Sequence, residues 1–405
     1  MTYDLTTAAH LLQTQYSNFA DLFYKKHPTL WKVVNAERMN GHDGEFVGKN
    51  FSYSVEFGGN QGVSGTVAKA QLASGSSIGR EFLATLTEKH GVLLIKGLAI
   101  AASKGEGAYV DAITKATDDT MYSETRRLAF DLLRGSGIRG QRSAIAGNVV
   151  TLTAANDARN FDIDMLIGAS PNADGSAPRV GSSKVTAVDL ANNKFTLANA
   201  AAIAGFVNND FLFVDGEPLT CMRGMNVTTP LVAPAGGDNF RGVDRSVFPE
   251  FLAGDRLTTA VSLANIAEDN IDLICSQIAD RGGDITDAVM SFKQFGQIKQ
   301  RTQAQVEYVM TGGEAKIGFA TVVIVTNAGP VRCWGDPDVP VDLIRGFNSS
   351  AHYIRKIGEL VHINRDDGQT LVRSSTDDAV EGRTRFLGDY IQSNTRDHFV
   401  FQVRA

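Results

Sequence analysis

The feature that most constrains the fold of this chain is an apolar run, residues 91–102, that leads into one long amphipathic segment and a cluster of glycines. Apolar side chains recur at helical spacing between Glu106 and Arg134, which predicts a single helix over that range. At ~1.5 Å per residue, such a helix is a rod about 40 Å long. The stretch contains no plausible catalytic group, so we expect it to act as a structural support.

The residues around the predicted helix agree with its boundaries. Glu106 and Asp111 stand at its start and Arg134 at its end, which complements the helix dipole. Gly135 can adopt the left-handed conformation that ends a helix. The preceding residues 92–102 have the length of a core strand. The predicted buried face of the helix consists of Val110, Ile113, Thr117, Met121, Leu128 and Leu132.

A long hairpin is predicted before the helix. Residues 45–58 alternate as a half-buried strand does, and a returning strand is expected over residues 80–87. Between them lies a polar, glycine-rich end. A two-stranded hairpin is marginally stable alone, so its aromatic face needs a surface from its own domain or from a neighbouring subunit. The candidate assembly contacts on that face are Phe51, Tyr53, Val55 and Phe57.

The rest of the chain divides into a β-rich part and a mixed part. Short apolar runs at 149–153, 163–167, 184–188, 194–197 and 211–214 predict a small barrel or sandwich within residues 145–217. From residue 257 the pattern is mixed. It predicts a helix over 264–281, a strand over 287–291, a short helix over 292–299, a buried strand over 317–326, a turn-rich crossing over 329–340 and strands near 341–344 and 399–403.

Two glycine motifs resemble those of enzymes but stand in the wrong context. Residues 135–140 fit G-x-G-x-x-G, yet a dinucleotide site needs a strand before the glycines and a helix after them, and here the order is reversed. Residues 75–79 fit G-x-S-x-G with Ser77 as nucleophile, but a small, polar segment precedes them instead of a buried strand. We therefore expect no enzymatic activity and no cofactor, and a serine hydrolase using Ser77 is a remote alternative.

Composition excludes several other classes. The seven histidines are scattered and no acidic doublet has the order of a calcium loop, so no metal site is predicted. Three widely spaced cysteines favour a reducing compartment. The net charge of −6 argues against a protein whose main task is to grip nucleic acid. No signal peptide is apparent, and no apolar run approaches the ~18 residues of a membrane helix.

The order of these segments resembles a known family. Three further pieces contribute: Gly242-Val-Asp-Arg245, Gly329-Pro-Val-Arg-Cys-Trp334 and Gly388-Asp-Tyr-Ile391. With the hairpin, the long helix and the glycine turn at Gly135, they resemble the major capsid protein of tailed bacteriophages, which has the Hong Kong 97 (HK97-like) fold. The resemblance implies an α+β fold with an N-terminal arm (1–44), an E-loop hairpin (45–88), a peripheral domain with the spine helix (89–144), an inserted β-rich domain (145–217), a connection (218–256), an axial domain (257–350) and a return to the peripheral domain (351–405).

The resemblance also implies a function. It implies a structural subunit that forms hexamers and pentamers of an icosahedral shell around double-stranded DNA, in a virion assembled in the host cytoplasm. The implied partners are copies of itself, a separate scaffolding protein, a portal and a decoration protein, with non-specific contact to DNA and none to membranes. Nothing marks Lys49 or Lys69 as a reactive cross-linking residue, so we expect no covalent cross-links. A shell protein of an encapsulin-type cellular nanocompartment is the alternative.

Overall fold

The structure, a computed structural model, describes residues 50–96, 106–218, 220–257, 267–302, 322–357, 362–363, 371–373 and 378–403. The predicted N-terminal arm, residues 1–44, lies outside the described residues. Helices and strands alternate along the chain, and the fold is α+β, as the sequence predicted.

The elements are numbered here in chain order. The described helices are α1 (Val67–Ala73), α2 (Glu106–Arg134), α3 (Met225–Thr228), α4 (Pro249–Ala253), α5 (Ala267–Asp280) and α6 (Phe292–Thr302). The described strands are β1 (Asn50–Gly58), β2 (Ile78–Thr85), β3 (Thr87–Lys96), β4 (Ile138–Ala146), β5 (Val149–Leu152), β6 (Leu166–Ser170), β7 (Ser183–Asp189), β8 (Lys194–Leu197), β9 (Phe211–Val214), β10 (Asn239–Phe240), β11 (Val243–Asp244), β12 (Asp255–Leu257), β13 (Asp287–Met290), β14 (Val322–Thr326), β15 (Gly329–Gly335), β16 (Leu343–Phe347), β17 (His352–Lys356), β18 (His362–Ile363), β19 (Val372–Arg373), β20 (Ala379–Gln392) and β21 (His398–Gln402).

These elements form two compact units, which are described separately. The first, called the spine unit, contains residues 87–224 and 354–389. The second, called the sheet unit, contains residues 50–86, 225–353 and 390–403. The predicted hairpin therefore belongs to the sheet unit, together with the mixed α/β half of the chain. The seven predicted domain boundaries stay a prediction.

The long helix α2 organises the spine unit. It spans Glu106–Arg134, and the prediction of its bounds is confirmed. Thr117, Met121, Leu128 and Leu132 of the predicted face are buried. Gly135 follows with a φ of +63°, the left-handed conformation expected of a residue that ends a helix. The end of α2 is closely packed, because a Cβ atom on Gly224 would lie 2.1 Å from the carbonyl oxygen of Asp131.

A sheet and a barrel complete the spine unit. Strand β3 pairs antiparallel with the first part of β20, from Lys96 opposite Ala379 to Thr87 opposite Gly388. A core strand was predicted over residues 92–102, and its described part, to Lys96, has Leu93 buried but Val92 on the other face 58 % exposed. The strand is covered on one face only, which alternation along a strand allows.

The β-rich segment is a closed barrel with the strand order β4-β5-β8-β7-β6-β9. Its core includes Val150, Ile167, Phe195 and Leu212. No strand was predicted with the bounds of β4, because its first residues belong to the glycine motif at 135–140 and the β-rich part was expected to begin at residue 145. The structure shows the reason: β4 carries irregularities at Ile138/Gly140 and at Arg142/Ala144, which break the alternation that reveals a strand.

A six-stranded mixed sheet organises the other unit, with the order β12-β21-β16-β13-β15-β14. Ile271, Ile274 and Ile278 of α5 are fully buried in its core, as predicted. Residues 329–335, expected from their turn residues to be a turn-rich crossing, form strand β15, which agrees with the strand pair that the family resemblance implied for this segment. A second expectation is wrong. The described part of the strand predicted to be buried, β14, is an edge strand whose Val325 is 82 % exposed.

Candidate functional site

The hairpin of β1 and β2 is the part of the chain to which the sequence assigned a function. The two strands pair antiparallel from Asn50 opposite Thr85 to Gly58 opposite Ile78. Tyr53 and Val55 are buried, and the Tyr53 ring stacks on the Phe82 ring with centroids 5.2 Å apart. These side chains share an apolar cluster with Val243, Leu252 and Ile391 of the same unit.

Phe51 and Phe57 complete the aromatic face at its two ends. Phe51 is partly buried against the same cluster. Phe57 stacks on Phe251, with ring centroids 5.6 Å apart, and lies 5.0 Å from the ring of Phe248. Of the two surfaces that the sequence left open, the chain's own unit covers this face. The expectation that Phe51, Tyr53, Val55 and Phe57 contact a neighbouring copy stays a prediction.

One arginine fixes the hairpin to its unit. Arg241 has a φ of +52° and with Gly242 forms the turn between β10 and β11. Its guanidinium donates to the Tyr53 hydroxyl at 3.0 Å and to the Tyr390 carbonyl oxygen at 2.7 Å, and its own carbonyl oxygen accepts from the Leu83 N–H at 2.9 Å. A positive φ is unfavourable for arginine, so these contacts hold a conformation that the residue would otherwise avoid.

The tip of the hairpin has a defined structure of its own. The side-chain oxygen of Asn60 accepts hydrogen bonds from the backbone N–H groups of Gly62 at 2.9 Å and Gly75 at 3.0 Å, which closes the loop. Between these residues lies the seven-residue helix α1, none of whose residues is buried. No helix was predicted here, although Ala68, Ala70 and Ala73 are good helix formers and were the available signal.

The tip exposes apolar side chains to solvent. Val63 is 89 %, Val67 76 % and Leu72 88 % exposed. An ordered loop with three such side chains close in sequence differs from a scattering of surface residues, because an apolar group held in place in water is available for a partner. We call these three residues the tip cluster.

The motifs that resemble enzyme sites have no catalytic context in the structure. Ser77 is exposed and lies between α1 and β2, so a helix precedes it and a strand follows. A nucleophile elbow requires the reverse order. Gly135 and Gly137 lie between α2 and β4, again the reverse of a dinucleotide site. The described residues contain no cluster of three metal-ligating side chains.

The cysteines are buried and chemically quiet. Burial raises the pKa of Cys221 and of Cys275 to about 12, and it also raises the pKa of Cys333. Thiolates are the reactive form of cysteine, so these three thiols are poor nucleophiles at neutral pH.

A buried ionic cluster lies at the end of α2. The ammonium of Lys89 donates to a carboxylate oxygen of Asp131 and lies 3.2 Å from Oε1 of Glu217. Burial raises the pKa of nearby Glu124 to about 7, while the hydrogen bond from Thr384 opposes this. No sequence motif indicated the cluster, because its members come from β3, α2 and the segment after the barrel.

Three side chains form a second buried polar group, in the sheet unit. His352 contacts the Tyr390 hydroxyl through Nδ1, and its Nε2 lies 3.1 Å from Nδ1 of His398. All three residues are essentially inaccessible to water. Burial lowers the pKa of His398 to about 3, and burial with the neighbouring His398 lowers that of His352, so both imidazoles are neutral at physiological pH.

Comparison with known proteins identifies the fold. No family model and no curated protein sequence matches the chain. A chain of the capsid asymmetric unit of cyanophage A-1(L) is similar over 88 % of this chain and 88 % of its own length, with 11 % identity and a TM-score of 0.50. The capsid of an empty GTA particle is similar over 89 % and 93 %, with 11 % identity and a TM-score of 0.43. An encapsulin from Synechococcus elongatus, SrpI, is similar over 87 % and 82 %, with 9 % identity and a TM-score of 0.42.

The similarity to the cyanophage A-1(L) chain agrees with the order of elements on which the sequence resemblance was based. No helix in the described part of the chain has the length and apolar character needed to cross a membrane. Hairpin, long helix, barrel and mixed sheet follow one another as they were predicted to do. The chain therefore has the HK97-like fold of tailed-phage capsid proteins.

Proposed function

We propose that this chain is the structural subunit of a phage head, assembling into hexamers and pentamers of an icosahedral shell that encloses double-stranded DNA. The fold supports the proposal, since the cyanophage A-1(L) chain that shares it comes from a capsid. The observation that carries it is the tip cluster: a hairpin anchored at one end in its own unit holds three apolar side chains in water at the other.

The tip cluster is suited to contact a second copy. Fully burying an aliphatic side chain is worth about 1.5–3 kcal/mol, so three such residues favour association without making one contact irreversible. The tip alone is too small for a stable interface, which needs at least ~1,000 Å² of buried surface. Many weak contacts of this kind, repeated around a symmetric assembly, are what a shell requires.

Replacing two apolar residues of the tip cluster by serine tests the proposal. The double variant Val67→Ser/Leu72→Ser keeps the helix α1 short and exposed but removes its apolar groups. We expect it to remain folded, with an unchanged circular dichroism spectrum, and to form at least tenfold fewer closed particles by negative-stain electron microscopy and sedimentation. The matched control is Gln71→Ser, an exposed polar residue of the same helix. Normal particles from the double variant would contradict the role given to the tip.

The proposal extends to the partners of the subunit and to the compartment in which the particle assembles. We propose a separate scaffolding protein, a portal, a decoration protein and non-specific contact with DNA, in a particle assembled in the host cytoplasm. The nucleic-acid content of purified particles distinguishes this from the encapsulin-type alternative, because an encapsulin-type shell would contain a protein cargo instead of the genome.

A further inference from the structure

The buried ionic cluster at the end of α2 places a lysine and an aspartate in direct contact. Lys89 comes from β3, Asp131 from the last turn of α2 and Glu217 from the segment that follows β9. The ammonium of Lys89 donates to Oδ2 of Asp131 and lies 3.2 Å from Oε1 of Glu217. An amine, a carboxyl group that it can attack and a second carboxylate therefore meet at one point, and the proposed shell function uses none of them.

All three groups are largely removed from water. The side chain of Asp131 is inaccessible, and those of Lys89 and Glu217 are 13 % and 10 % exposed. Oδ1 of Asp131 accepts no hydrogen bond among the described residues. Burying an ion pair costs desolvation energy that the attraction between its charges returns only in part. A reaction that removes both charges is therefore more favourable here than on an exposed surface.

The two carboxyl groups differ in how readily they take up a proton. Burial raises the pKa of Asp131, and the opposing effect of Lys89 does not restore the ordinary value. Burial alone would also raise the pKa of Glu217, but the cations Lys89 and Arg139 lower it below its ordinary value. Asp131 is thus the carboxyl group that is more easily protonated, and Glu217 is the one that stays ionised and can accept a proton.

We propose that Lys89 and Asp131 condense to an amide bond inside the folded chain, with Glu217 as the catalytic base. Burial opposes the charge of Lys89, but the two carboxylates outweigh it and raise the pKa, so the reaction starts from the ammonium. The ammonium passes one proton to the Asp131 carboxylate, which leaves a neutral amine beside a neutral carboxyl group. Nζ then attacks Cγ of Asp131, while Glu217 removes a proton from the nitrogen and delivers it to the departing hydroxyl group. The products are one amide, one water molecule and an unchanged Glu217 carboxylate.

The fold supplies what such a condensation needs. Groups held in a reactive orientation behave as if one were present at about 10⁵–10⁸ M, and the contact between Lys89 and Asp131 holds the amine beside the carboxyl carbon. A cavity of about 240 Å³, which all three residues line, can receive the released water. The amide closes a covalent loop from residue 89 to residue 131, so β3 and α2 stay joined when their hydrogen bonds break.

The bond lies within one chain and does not join subunits. It uses neither Lys49 nor Lys69, the two lysines considered above for cross-links between copies. Lys89, Asp131 and Glu217 all belong to the spine unit, so the amide forms or fails to form whether or not shells assemble.

Mass spectrometry of the full-length protein tests the bond. After unfolding in denaturant, we expect most chains to be lighter than the sequence requires by the mass of one water molecule. Protease digestion should yield a branched peptide that joins the segment containing Lys89 to the segment containing Asp131. The exposed pair of Lys184 and Asp164, whose Nζ and Oδ1 are 3.9 Å apart, is the internal control and should yield no branched peptide.

Two variants separate the chemistry from the fold, with the cross-linked fraction followed over time after cell-free synthesis. Glu217→Gln keeps the size of the side chain but removes the base, and should slow amide formation at least tenfold. Lys89→Arg keeps the positive charge but not the nucleophile, and should abolish the bond. The matched control is Glu88→Gln, because Glu88 lines the same cavity but is exposed, and this variant should form the amide at the wild-type rate.

An unchanged mass of the folded wild-type chain overturns the proposal, and that measurement is decisive even if a variant fails to fold. Loss of water without the branched peptide also overturns it, because an aspartate that closes to a cyclic imide loses the same mass. Circular dichroism verifies that each variant is folded. The wild-type rate in folded Glu217→Gln would show that Glu217 is not the base.

Discussion

The contact between Gly224 and the end of α2 leads to a quantitative stability prediction. A Cβ atom at position 224 would lie 2.1 Å from the carbonyl oxygen of Asp131 and 2.3 Å from that of Leu132. Side-chain carbons essentially never approach other atoms within 3.0 Å, so Gly224→Ala requires the backbone to move by about 1 Å. Both obstructing atoms belong to the backbone, so rotation of a side chain cannot relieve the clash.

The cost of this substitution follows from the packing. Overpacking a closely packed site typically costs about 1–3 kcal/mol, and two backbone obstructions place Gly224→Ala at the upper end, about 3 kcal/mol. For a unit of this size, each 1 kcal/mol lowers the melting temperature by about 2–4 °C, so we expect a decrease of about 6–12 °C. Thermal unfolding of unassembled subunits, followed by circular dichroism, measures it.

Gly296→Ala is the matched control. Gly296 lies inside α6, and a Cβ atom there meets nothing within 4 Å. The substitution should stabilise its helix by about 0.5–1 kcal/mol, because alanine loses less backbone entropy than glycine in a helix interior. A melting temperature for Gly224→Ala within about 1 °C of wild type would refute the close approach of Gly224 to the backbone of α2.

The buried groups of the sheet unit give two further predictions. Neutral His352 and His398 contribute stability that is fully present above the unfolded pKa of 6.5 and is lost as the pH falls towards the folded pKa of His398, about 3. Each histidine contributes about 1.4 kcal/mol per pH unit only below pH 6.5, so urea unfolding should show a loss of about 2 kcal/mol for each histidine between pH 7 and pH 5. Equal stabilities at the two pH values would contradict the burial. Arg241→Ala removes two charge-assisted hydrogen bonds, to Tyr53 and Tyr390. It should lower the free energy of unfolding by about 3 kcal/mol and make the hairpin more sensitive to protease. Unchanged cleavage would show that the arginine does not hold the hairpin.

The elements predicted from sequence are those whose signals are local. Helix α2 has apolar side chains at helical spacing, charges that fit its dipole and a glycine after Arg134, and its bounds were correct to the residue. Strand β4 was missed because irregularities at Gly140 and Arg142 disturb its alternation. Strand β14 was predicted to be buried because it is apolar, but its exposure depends on its position at the sheet edge, which composition does not reveal.

The functional surfaces show the same division. Alternation at Phe51–Phe57 predicted the strand and its apolar face, yet it could not say which surface covers that face. In the structure, apolar residues of the same unit cover it, and Arg241, 188 residues away in the chain, hydrogen-bonds to Tyr53. The tip cluster was not predicted, since exposure is a property of the folded chain.

The sequence by itself determined the order of hairpin, long helix, barrel and mixed sheet, and that order carried the resemblance to the HK97-like fold. Periodicity, helix ends and turn residues act between neighbours in the chain, so they can be recognised without coordinates. Only the tertiary structure decided which apolar groups remain in water at the hairpin tip and which charges are buried beside one another. Those outcomes depend on contacts between residues that are distant in the chain. Such contacts remove groups from water, which is favourable for an apolar group and unfavourable for a charge.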